Sequence, residues 1–97
     1  MDGSRTIPRT LRGKDDAPTP AYYGYLALTP FANDLVLGLA LEALEHADLG
    51  ADGVPDLLCV GFSANDFVGH ACGPDSVEAR DTLLRTDLAV AALLDAL

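Results

Sequence analysis

The chain has 97 residues, of which 49% are hydrophobic and 22% charged, with a formal net charge of −9 at pH 7. That length admits one small domain, and that composition excludes an intrinsically disordered chain. The sign of the charge argues against a nucleic-acid-binding surface and against docking on anionic membranes. It also gives the chain no general attraction for an anionic substrate, which would need a local cation.

Residues 1–21 carry Pro8, Pro18, Pro20 and mixed charges without sustained periodicity, and read as an extended loop. No apolar stretch there resembles a signal peptide, and none elsewhere is long enough to span a membrane. YYGYLAL, residues 22–28, reads as a short strand or an irregular wall, with Gly24 weakening the strand; residues 1–28 are thus expected to be mostly loop. Thr29-Pro30 then has the form of an N-cap followed by proline at the first helical position. From Pro30 to Gly50, Leu35, Val36, Leu39, Ala40, Ala43 and Ala47 recur at helical spacing, with Asp34, Glu42 and Glu45 on a narrower polar side. So wide an apolar face predicts burial against a sheet or another helix. His46 falls near the helix C-terminus, where the dipole tolerates an imidazolium, and gets no ligand role.

After a loop at 51–56, DLLCVGF (56–62) is a continuous apolar run, the pattern of a strand buried on both faces. Cys59 inside it reads as a small core residue. Cys59 and Cys72 match no zinc-ribbon or CxxC spacing and are expected to be free thiols in preference to a disulfide. Asp75 or Ser76 caps a last helix, in which Asp81 and Arg85 form an i, i+4 pair. Leu83, Leu84, Leu88, Val90, Ala91, Leu94 and Leu97 give that helix a broad apolar face. The order helix, strand, loop, helix predicts a slice of an α/β fold. One strand makes no sheet, and the helical pattern runs to Leu97 without a stop signal, so the chain is expected to be part of a longer protein.

Chemistry concentrates in SANDFVGHACGPDS, residues 63–76. Asp66 and His70 are four apart, one turn of helix on one face. A carboxylate oxygen and a neutral imidazole nitrogen are both zinc donors. Gly69 leaves room beside His70, and Gly73-Pro74 turns the chain toward the last helix. Spacing alone is a weak signal: Asp66 as a helix cap and His70 as a hydrogen-bonding residue satisfy it too. Asp75 and Glu78 could enlarge a donor set, but their positions suit a helix start better.

TPFANDL, PDLLCVGFSANDFVGHACGPDS and the E-x-x-D-x-x-x-R-x-D that follows resemble the alkaline phosphatase superfamily. The likeness is to its type I phosphodiesterase/nucleotide pyrophosphatase branch and the PafA-like alkaline phosphatases, over about residues 7–97, with GH-x-x-GP-x-S its most specific part. The resemblance implies a partial α/β/α sandwich of the alkaline phosphatase-like fold, the chain being a central fragment of one catalytic domain. It implies a two-zinc site that hydrolyses small-molecule phosphate esters through a covalent phosphoryl-enzyme. Asp66 and His70 would hold one zinc; a third ligand to that ion, the second zinc's ligands and the nucleophile have no matching position here. Thr29 lies outside the nucleophile motif and is assigned a cap. By the same resemblance the isolated chain is expected to be inactive, and relatives are commonly exported. Two other readings compete: a non-catalytic remnant or interaction module, and a small metal-binding protein unrelated to hydrolysis.

Overall fold

The computed structural model describes residues 18–97. The expected loop over residues 1–21 therefore lies, as far as residue 17, outside the described residues. Four helices follow: α1 (Pro20–Ala27), α2 (Phe31–His46), α3 (Ala64–Cys72) and α4 (Val77–Asp95).

The first helix corrects the strand-or-wall reading of residues 22–28 and the loop reading of residues 20 and 21. Thr19 is extended and accepts a hydrogen bond from the Tyr22 amide, and Pro20 occupies the first turn with its fixed φ. This Thr-Pro start signal outweighs the strand preference of Tyr22, Tyr23 and Tyr25. Thr29 caps a helix other than the one expected. Its hydroxyl donates to the Leu26 carbonyl at 2.7 Å, at the end of α1, while α2 starts without a side-chain cap. The two helices meet at an 86° bend. Among the described residues no single helix is long and apolar enough to cross a membrane; only this bent pair together reaches the necessary length and apolarity.

Helix α2 follows the predicted periodicity and stops at Ala47, three residues before Gly50. Asp48 and Gly50 take positive φ of 53° and 74° and turn the chain out of the helix. Two carboxylates then shape the loop, Asp56 accepting from the Gly50 amide and Asp52 from the Val54 amide, each at 2.7 Å.

The α/β expectation is overturned. Among the described residues there is no strand, and residues 56–62 run as irregular chain between α2 and α3. Leu57 is 88% exposed and Cys59 is exposed, so the run is not a core element and Cys59 is not a core residue. The physical reason is pairing. A strand's amides and carbonyls need a neighbouring strand, and no other described segment offers one. Hydrophobicity marked the segment as fit for burial, but burial needs a partner.

Ser76, one of the two candidate caps, starts α4: its hydroxyl accepts from the Ala79 amide at 3.1 Å and donates to the Gly73 carbonyl at 2.7 Å. The Asp81–Arg85 pair forms at 2.9 Å, and the Arg85 guanidinium also lies 5.8 Å from the Phe31 ring centroid, joining α4 to the start of α2. Three helices meet in a core of small side chains, Ala40, Ala64, Val68 and Ala89, with Asn33 and Thr82 buried among them. The predicted wide apolar faces are only partly covered: Leu35 and Leu39 on α2 and Leu84 and Leu88 on α4 are exposed. The radius of gyration is 16.0 Å, against roughly 12 Å for a compact domain of this size.

One buried hydrogen bond and one backbone conformation should weigh heavily in stability. Asn33 is 3% exposed, and its side-chain oxygen takes the buried Ala64 amide at 3.1 Å. Asn33→Leu keeps the volume and strands that amide, so urea denaturation followed by circular dichroism should show a loss of about 2–3 kcal/mol. Gly73 sits at φ 93°, ψ 149°, where a side chain is strained although nothing lies within 4 Å of an added Cβ. Gly73→Ala should therefore cost about 1–3 kcal/mol through the backbone alone, read in the same titration.

Candidate metal centre

Helix α3 begins unusually. Ser63 provides no side-chain cap, and the first helical amide, Ala64, is satisfied from another helix by Asn33. Ala64 and Val68 are buried at 2% and 1% exposure and define the face of α3 that packs inward. At about 100° per residue, Asp66 and His70 fall on the opposite face. Both are exposed, with side chains 73% and 82% accessible, and Asp66 Oδ1 lies 3.3 Å from His70 Nε2.

The structure thus brings together the two residues singled out from the sequence. Their separation suits a shared ion. Donors at about 2.0 and 2.1 Å from one tetrahedral zinc lie about 3.3 Å apart. Geometry alone is not selective, however: Glu42 and His46 on α2 have the same spacing and the same 3.3 Å separation. What separates the two pairs is context. Glu42–His46 closes a helix beside a loop, whereas Asp66–His70 sits on a short helix clamped by its neighbours.

The donor set is incomplete within the chain. Among the described residues no group of three or more His, Cys, Asp or Glu side chains is placed to hold a metal. Cys72 is half-buried and free, and neither Asp75 nor Glu78 completes such a group. A catalytic zinc commonly has three protein donors and an open position, so two exposed donors fit one part of such a site. The space expected beside Gly69 is present, since an added Cβ there would meet nothing within 4 Å.

Sequence reading overlooked the residues that hold α3. Asn33 Nδ2 donates to Asn65 Oδ1 and to Thr86 Oγ1, both at 3.0 Å, and Thr86 Oγ1 lies 2.7 Å from Asn65 Oδ1. One signal was on the page: Ala-Asn-Asp occurs twice, at 32–34 and 64–66, and the two asparagines are bonded to each other.

Comparison with known proteins gives the family of the chain. The chain is 40% identical over 82 residues to alkaline phosphatase PafA of Elizabethkingia meningoseptica, covering 84% of this chain and 14% of that protein. It is 42% identical over 65 residues to alkaline phosphatase PhoV of Synechococcus elongatus, covering 67% and 12%. A calcium-transporting ATPase of Myroides odoratus is 38% identical over 74 residues, covering 74% and 14%. No solved structure matches. The chain belongs to the type I phosphodiesterase/nucleotide pyrophosphatase family, whose model matches residues 5–97. The chain spans about one-seventh of the length of the curated relatives it matches.

If Asp66 and His70 share an ion, zinc should shift the His70 ring resonances of this chain in NMR titrations. His70→Ala and Asp66→Ala should each weaken binding by about tenfold or more. Both side chains are exposed, so the far-ultraviolet circular dichroism spectrum should not change. A zinc response centred on His46 would assign the ion to the wrong pair.

Proposed function

We propose that this chain supplies two donors of one zinc site, Asp66 and His70, to an enzyme that hydrolyses phosphate esters. The observation that carries the reading is the exposed 3.3 Å Asp66–His70 pair in a member of a phosphoester hydrolase family. A bound zinc supplies a Lewis acid and a local positive charge for the phosphoryl oxygens.

The chain's own residues contribute the following. The Asp66 carboxylate and the neutral His70 imidazole each offer a lone pair on the same side of α3. Their exposure leaves an open approach for a third donor, for water and for a small-molecule ester. The chain's net charge of −9 repels an anionic ester, so productive approach would depend on the positive charge of an ion held at this pair. Residues outside the chain would supply the third donor, a second zinc site and the attacking hydroxyl. In the full reaction that hydroxyl forms a bond to phosphorus while the ester oxygen leaves with a proton. Water then displaces the enzyme oxygen, regenerating the hydroxyl and releasing phosphate. The same charge leaves nucleic acid disfavoured as a partner.

The test is an exchange. Placed in the Elizabethkingia alkaline phosphatase in exchange for its matching segment, this chain should support hydrolysis of p-nitrophenyl phosphate. His70→Ala or Asp66→Ala in the hybrid should lower kcat/KM on the order of 10²-fold or more. The 97-residue chain alone should be inactive. A folded hybrid with no activity would favour a non-catalytic remnant, and full activity without His70 would remove the donor assignment.

A further inference from the structure

We propose that Asn33 and Thr86 are positioning residues for the metal-donor helix: they clasp Asn65 and the start of α3, and so hold the helical turn on which Asp66 and His70 lie together. The proposal rests on the reading of Asp66 and His70 as zinc donors.

A nine-residue helix is marginal by itself and must be held by its surroundings. Here the hold is largely polar. Asn33 uses its whole side chain: the oxygen accepts from the Ala64 amide at 3.1 Å, and the two amide hydrogens go to Asn65 Oδ1 and Thr86 Oγ1 at 3.0 Å. Thr86 Oγ1 is 2.7 Å from Asn65 Oδ1 and 2.8 Å from the Thr82 carbonyl, so its single proton is shared between a bond to α3 and a bond within α4. Three helices therefore meet at one residue, Asn65, adjacent to Asp66. A slip of one residue would rotate α3 by about 100° and carry Asp66 away from the outer face. The clasp ties α3 to α2 and α4 through the buried Asn33 amide, whose bonds to Asn65 and Ala64 are lost if the start of α3 turns or unwinds.

Loss of the clasp leaves the start of α3 free to fray, and Asp66 and His70 lie one turn apart only in the fraction of molecules in which that turn is helical. Apparent zinc affinity falls by that fraction. The test uses the 97-residue chain, with zinc titrated against the His70 ring resonances and amide exchange followed along α3. Thr86→Val removes the hydroxyl at constant shape; it should weaken zinc binding by about tenfold and speed exchange at Ala64 and Phe67. Thr86→Ser restores the hydroxyl and should bind within about twofold of the parent. Leu37→Ala serves as the control: Leu37 lines the shallow cleft between α2 and α4 with Asp34, Arg85, Leu88 and Ala89, away from α3. It should lower stability while leaving zinc affinity within about twofold. Should Thr86→Val not fold, Asn65→Ala carries the same expectation, since alanine favours the helix.

Parent-like zinc affinity and exchange in Thr86→Val would overturn the clasp. So would an equal loss of affinity in Leu37→Ala, which would show that general stability alone matters. Asp66→Ala binding as well as the parent, or no zinc response at His70 in the parent, would instead sink the donor reading. Amide exchange would still decide the clasp in that case.

Discussion

One buried amide organises this structure. Asn33 is almost fully enclosed, yet both of its side-chain N–H groups and its side-chain oxygen are hydrogen-bonded, and its partners lie on α3 and α4. A buried primary amide is costly unless satisfied and highly directional when it is. The surrounding apolar core is made of alanines and one valine, which pack closely but specify little. Directionality therefore comes from Asn33, and the approach of α2, α3 and α4 is set by where its donors and acceptor can reach. The Arg85 stack over Phe31 and the Ser76 cap act at the periphery of this junction.

The arrangement divides labour along α3. Its inner edge, Ala64 and Val68, is fastened, and its outer edge, Asp66 and His70, is left accessible. The described residues hold no third His, Cys, Asp or Glu placed to join the pair.

Much of this was legible in the sequence, and the remainder was not for identifiable reasons. The α2 and α4 periodicities, the Ser76 cap and the Asp81–Arg85 pair depend on residues a few positions apart, and local rules reached them. The same locality placed Asp66 and His70 on one face. The strand at 56–62 failed because its partners would be non-local, and an apolar run does not say whether anything covers it. Cys59 failed with it. Thr29-Pro30 was correctly seen as punctuation but attached to the following helix, because a threonine hydroxyl can close one helix as well as open the next. Asn33 and Thr86 were invisible because their bonds to Asn65 span 32 and 21 residues.

The uncovered leucines of α2 and α4 have a thermodynamic corollary. Heat-capacity change and denaturant sensitivity both scale with the surface that unfolding newly wets, and here much of the apolar surface is wet already. A broad melting transition, with stability that varies little across ordinary temperatures, is the expected consequence. Its cohesion is closer to that of a polar joint than to that of an oil drop.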